Sequence, residues 1–378
     1  MRVVHLFANH KFTGPADPAM VLAAEQQRLG LDVLFCAGAD SEGESGVRTL
    51  ARARGLVVND RLRLAKHGRP WLVMRDVLRL RQLLAAHRPR IVHTHLAADH
   101  LIATLAARRL GVAVVRSFYE AEPPSGWRAR TSLHYTHALL VHSPAVAARF
   151  VERHAALATR ISVVEPPLDL ARFAAREREP KLRAEWNAGQ DEFVIGVVAR
   201  MQTHRLFPEL IEGFARVART DPGLRLVILG RGTHSETVAR APARQSQVDA
   251  QIYFPGYIEN REYPRYLPCF DALIFLVPGS DGTCRAAREA LVSGVPVIAS
   301  RRGLLPDLVE NGETGVLLDA ESPAAIADAI RALRADPARV ERLGATARTR
   351  ARARFDVQVV ARAVGQVYER IVGDGVDS

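Results

Sequence analysis

Short apolar runs, many of them β-branched, alternate along the chain with stretches whose apolar residues recur at helical spacing. Residues 3–8, 32–36, 90–95, 112–118 and 139–143 carry strand patterns in the first half, and 193–199, 224–230, 251–258 and 272–277 carry them in the second. Residues 19–29 read as a helix, so the chain opens strand, loop, helix, strand. That is the start of a doubly wound α/β domain, whose ligands bind at the carboxyl ends of the strands. Ser143 is placed to cap a helix. Residues 324–355 read as one Ala/Arg-rich helical stretch, structural in role. A last helix lines up Val359, Val360, Ala363, Val364, Val367, Tyr368 and Ile371 on one side. The length of 378 residues leaves room for two cores.

Residues 48–90 change this picture, because Trp71, Leu72, Val73, Val77, Leu78, Leu80, Leu83 and Leu84 fall at near-helical spacing among arginines. A surface helix with its apolar side on the core is the preferred reading, with a membrane-facing helix as the alternative. The formal net charge is +11. Residues 1–178 hold 26 Lys and Arg against 15 Asp and Glu, while residues 179–378 hold 26 of each, so the excess lies wholly in the first half. An anionic partner for that half is one reading and an arginine-rich solvated surface the other. Aromatic residues make up only 6% of the chain and no nucleic-acid motif appears, which argues against nucleic acid as the partner. No run approaches the ~20 apolar residues of a membrane span. Three widely spaced cysteines form neither a disulfide framework nor a zinc pattern. The chain enters a strand directly from Met1 without a signal sequence. A cytoplasmic protein is the expectation, with peripheral contact at the inner face of the membrane through the basic half as an alternative.

The chemistry centres on residues 278–300, where a strand end leads to a small polar loop, a short helix, a Gly-Val-Pro turn and a new strand. Gly279 and Gly282 allow the sharp bend, and a helix starting near Thr283 would turn unpaired N–H groups toward an anion. Asp281 and Glu289 could flank a sugar-phosphate. Upstream, Arg200 and Arg205 lie five apart across a turn, a spacing from which both guanidiniums reach a diphosphate.

Asp281-x7-Glu289 followed by Ala-Leu-x-x-Gly-x-Pro-Val-Ile-Ala resembles the E-x7-E signature of retaining, family-4-type glycosyltransferases. The first acid is one methylene shorter, and the family's Gly-Phe-Gly appears as Gly282-Thr283-Cys284. The family's Gly-Arg-x-x-x-x-Lys-Gly appears with Arg200, with Arg205 for the lysine and Leu206 for the glycine. Val-His-x-His appears at His93 and His95, which are read as structural on the alternation of side chains along a strand. The family's histidine after the next strand is Tyr119.

The resemblance implies an α/β GT-B fold: two Rossmann-like doubly wound domains facing a central cleft and closing on substrate. Residues 1–172 would be the acceptor-side domain, 173–355 the nucleotide-sugar donor domain, and 356–378 a helix packing back on the first. It implies sugar transfer from a nucleotide-diphosphate donor to an acceptor hydroxyl with retained configuration, without a metal or other cofactor. Arg200, Arg205 and the helix start at Thr283, Cys284 and Arg285 would hold the diphosphate, with Glu289 and Asp281 on hydroxyls of the donor and Gly282 in the loop. Gly14 would lie beside the phosphates, the backbone at Ile258 on the base, and Tyr119 and Glu120 on the acceptor side. The acceptor would be a glycolipid, polysaccharide or small molecule, anionic or lipid-linked if the charge is functional. An inactive nucleotide-sugar-binding homologue and a sugar-nucleotide epimerase of the same fold are the alternatives.

Overall fold

The computed structural model describes residues 1–39, 46–65, 69–173, 177–259, 261–278 and 282–373. The chain divides into two compact units, Met1–Asp169 with Arg354–Ser378, and Leu170–Ala353.

In the first unit the strands are β1 Arg2–Phe7, β2 Asp32–Ala37, β3 Val57–Val58, β4 Ile91–Thr94, β5 Ala113–Phe118, β6 Ala138–Val141 and β7 Ile161–Val163. The helices between them are α1 Ala16–Arg28, α2 Val47–Ala53, α3 Pro70–His87, α4 Ala97–Ala107, α5 Trp127–His134 and α6 Pro144–Arg153. The strands pair in parallel in the order β3-β2-β1-β4-β5-β6-β7, which reverses direction between β1 and β4. β5 and β6 are buried along their whole length, as strands covered on both faces are. The Ser143 hydroxyl accepts from the Val146 N–H and Pro144 opens α6, so the expected cap is present.

The second unit repeats the plan with β8 Phe193–Val198, β9 Leu224–Leu229, β10 Ile252–Gly256, β11 Ala272–Phe275, β12 Val297–Ala299 and β13 Gly315–Leu317. Its helices are α7 Pro180–Ala184, α8 Phe207–Ala218, α9 Ala241–Gln245, α10 Tyr263–Tyr266, α11 Arg285–Ser293, α12 Leu305–Leu308, α13 Pro323–Arg334 and α14 Pro337–Phe355. The parallel order β10-β9-β8-β11-β12-β13 reverses between β8 and β11. Residues 324–355 are two helices rather than one stretch, because Pro337 has no N–H for a continuing ladder.

The last helix, α15 Val357–Gly373, sits Val360, Val364 and Val367 on Val3, Ile91, Ala113 and Leu140 of the first unit. Each such buried side chain is worth roughly 1.5–3 kcal/mol. Val359, on the expected apolar side, is exposed. α3 also departs from expectation. Val77, Leu80, Leu83 and Leu84 face the core, yet Trp71, Met74 and Leu78 form a second apolar stripe in solvent. No described helix is long and apolar enough to cross a membrane.

Candidate active site

In the second unit the loops after β8 and β11 leave neighbouring strands at the same edge, where doubly wound sheets bind ligands. The exit of β8 is held by the Ala199 N–H on the Leu229 carbonyl and the Met201 N–H on the Arg231 carbonyl. The Gly230-Arg231-Gly232 turn lies so close that a Cβ on Gly230 would stand 2.1 Å from the Ala199 carbonyl oxygen. Arg200, between these anchors, is exposed. Arg205 closes a short helical turn and its Nη1 donates to the Val277 carbonyl at the end of β11, joining the two loops.

Asp281 lies outside the described residues. Beyond it Gly282 (φ 63°) and Cys284 (φ 50°) both take the left-handed conformation, so α11 begins at Arg285, two residues after the expected start. Thr283 and Cys284 are buried. One turn on, Arg285 Nε donates to Glu289 Oε1 at 2.7 Å, and Glu289 is itself buried. The structure therefore brings Gly282, Thr283, Cys284, Arg285 and Glu289 onto one loop and helix, beside the loop of Arg205. Tyr263 was not read from the sequence. Burial raises its phenol well above the ordinary tyrosine range and the neighbouring Glu289 carboxylate adds to this, while Arg285 and Arg172 pull the other way. Ile258 follows edge strand β10, half-buried, beside the exposed Tyr257, whose ring carries the Arg231 guanidinium at 4.7 Å.

In the first unit Gly14 occupies the turn into α1, where the Ala16 N–H meets the Thr13 carbonyl. Tyr119 and Glu120 follow β5. The Glu120 carboxylate accepts the Tyr119 N–H, but the Tyr119 ring is buried and its hydroxyl meets His95 Nδ1 at 2.9 Å. Its polar end thus points inward rather than toward an acceptor. His95 Nε2 faces His5 Nδ1 at 3.0 Å, and His5 Nε2 meets Gln26 Oε1 at 2.8 Å. His93 lies between Tyr368 of α15 and Ser117, its ring 4.5 Å from that of His95. Residues two apart share a strand face, so His93 and His95 stack instead of diverging. The ligand atoms of His5, His93 and His95 lie within 4.8 Å of one another, a metal-like grouping, yet each ring nitrogen faces a side-chain partner. The grouping is satisfied as a hydrogen-bond network. Arg116 is buried nearby with Nε and Nη1 lacking a partner among the described residues and Nη2 3.5 Å from Glu120. Burial and this cation hold His93, His95 and His100 well below the usual histidine range. His93 and His95 were read from the sequence as structural, whereas His5, at the middle of the apolar strand β1, was not.

Residues 19–172 match the model of Glycosyltransferase Family 4 and residues 178–350 that of Glycosyl transferases group 1. A glycogen synthase of Mycobacterium tuberculosis is 30% identical over 314 residues, spanning 78% of this chain and 73% of the relative. The chain is a family 4 glycosyltransferase. A D-inositol 3-phosphate glycosyltransferase of Nocardioides is 26% identical over 331 residues, 80% of this chain and 72% of the relative. The crystal structure of Anabaena Alr3699/HepE in complex with UDP-glucose superposes at a TM-score of 0.79 and 18% identity, covering 98% of this chain and all of that one, which fixes the GT-B fold. In this glycosyltransferase the two glycine losses share one physical feature. Leu206 (φ 55°) and Cys284 (φ 50°) both keep the left-handed backbone that glycine tolerates, and each stands at the head of a helix.

Proposed function

We propose that the second unit binds a nucleotide-diphosphate sugar at the carboxyl ends of β8 and β11, and that the enzyme passes the sugar to an acceptor hydroxyl with retained anomeric configuration. The observation that carries this reading is the Arg205 guanidinium on the Val277 carbonyl, which ties the cation loop to the loop heading α11 at the sheet's switch point. Arg200, Arg205 and the first N–H groups of α11 stabilise the charge that grows on the leaving diphosphate. Two guanidiniums and a helix N-terminus neutralise that charge without a metal. Glu289, braced by Arg285, and Asp281 take hydroxyls of the donor. No side chain is assigned as nucleophile; the departing phosphate takes the acceptor proton.

The acceptor binds the first unit near Glu120 and the Gly14 loop, and the positive charge of that half favours an anionic one. The D-inositol 3-phosphate glycosyltransferase relative supports a phosphorylated acceptor. The buried free cysteines suit a reducing cytoplasm.

Calorimetric titration with UDP, GDP, ADP and dTDP, with and without EDTA, tests the reading. One nucleotide should bind, indifferent to EDTA, and turnover of its sugar conjugate should leave the anomeric configuration unchanged by NMR. Binding of none of the four, or binding abolished by EDTA, would sink it.

A further inference from the structure

We propose that the first unit docks on an anionic lipid surface through the rim that carries Trp71 and Trp127. Of the three tryptophans in the chain, Trp186 is buried, whereas Trp71 is 59% and Trp127 73% exposed. Both open a helix, Trp71 in the first turn of α3 and Trp127 at the start of α5. These two helices end where strands begin: the Arg90 N–H meets the Arg2 carbonyl, and the His137 N–H meets the Val114 carbonyl. Their starts therefore lie at the opposite, carboxyl edge of the sheet, on either side of α4, which packs against both. Each indole carries a guanidinium, Arg75 at 5.9 Å from the Trp71 ring and Arg128 at 5.3 Å from the Trp127 ring.

From Trp71 the exposed stripe continues through Met74 (54%) and Leu78 (56%), one turn apart, with exposed Arg79 beside it. Residues 48–90 hold 12 Lys and Arg against two Asp and Glu, a net of +10 out of +11 for the chain. Neither acid offsets the stripe. Asp76 is buried under the Arg63 and Leu64 N–H groups, and Asp60 pairs with Arg48 and Arg52.

This combination selects its occupant. A second copy of the chain would bring the same positive charge to the same face. A nucleic acid would satisfy the arginines but leave Met74 and Leu78 in water. An anionic bilayer answers both features, with headgroup phosphates on the arginines, indoles at the interface and the stripe at the acyl boundary. The inference is independent of the donor reading, since none of these residues belongs to the loops of β8 and β11.

The test is co-sedimentation of the full chain with phosphatidylcholine vesicles, with and without roughly 30 mol% phosphatidylglycerol. Binding should require the anionic lipid, blue-shift the tryptophan emission over the constant signal of Trp186, and be released by about 0.5 M NaCl. Arg79→Glu should weaken the partition roughly 30-fold, since each charge near the surface changes it about fivefold. Leu78→Ser should weaken it with the salt dependence intact, and both variants should bind nucleotide as wild type does, although Arg79→Glu also gives up the Arg79 Nη1 hydrogen bond to the Arg61 carbonyl. Wild type left in the supernatant, vesicle binding unchanged by Arg79→Glu, or a dimer that Arg79→Glu dissolves would each overturn the proposal.

Discussion

His5 Nδ1 and His95 Nε2 face each other at 3.0 Å inside the first sheet, so a single proton serves both atoms. Gln26 Oε1 accepts from the His5 Nε2–H, which leaves His5 Nδ1 to accept from His95 Nε2 and His95 Nδ1 to accept from the Tyr119 hydroxyl. A further proton would set two N–H groups against each other.

Stability should therefore fall with acid. Burial lowers His5 to about 4, and lowers His93, His95 and His100 well below the ordinary 6.5. Between pH 6.5 and 4 the unfolded chain takes protons on these histidines that the folded chain refuses, so stability declines as pH falls through that window. Asp99 acts in the opposite sense: burial raises it to about 7, so the folded state gains its proton first and offsets one histidine. Each uncompensated histidine contributes a slope of up to roughly 1.4 kcal/mol per pH unit. Denaturant midpoints measured from pH 5 to 8 should be level above about 7 and drop steeply below 6.5; a level profile throughout would refute the network.

Tyr368→Phe removes the hydroxyl that meets His93 Nδ1 and leaves a buried ring nitrogen without its partner. The expected loss is about 1–3 kcal/mol, read from urea unfolding at pH 7.5. Nucleotide affinity of the second unit should not change. A variant as stable as wild type would mean that α15 is held by its valines alone.

The strands were legible because parallel strands buried on both faces are continuous apolar runs, as in residues 193–198. That Arg200 stands just past a strand end was legible because the apolar run of residues 193–199 stops there. The histidine network was not, since its members lie at positions 5, 26, 93, 95, 117, 119 and 368, and only the sheet order and the packing of α1 and α15 bring them together. The outward stripe of α3 was hidden for another reason: Trp71 and Met74 keep the same helical spacing as the residues that face the core. The late start of α11 was also unreadable, because Cys284 gives no sign that its backbone is left-handed.

Cys284→Gly should stabilise the second unit. The side chain is small and buried, and its left-handed backbone costs about 1 kcal/mol that glycine does not incur. A gain of at most about 0.5 kcal/mol is expected, after the lost packing and the freer unfolded chain are subtracted. Thermal unfolding of the variant against wild type and Cys284→Ala decides this. Cys284→Ala keeps a Cβ at the same dihedral, so it should show no gain; equal stabilisation by both would remove the strain argument.

Arg200→Ala and Arg205→Ala should separate binding from loop support. Arg200 is exposed, so its loss should weaken nucleotide-diphosphate binding with little change in melting temperature. A charge-assisted contact of this kind is worth about 1.5–3 kcal/mol, or roughly 10- to 150-fold in affinity. Arg205 also holds the Val277 carbonyl, so Arg205→Ala should lose affinity and stability together. Arg205→Lys, with the charge but not the planar fork, should recover only part of the affinity. A nucleoside lacking phosphates should bind wild type and Arg200→Ala alike. If it loses affinity as much as the diphosphate does, the arginine acts on the base side and the phosphate assignment fails.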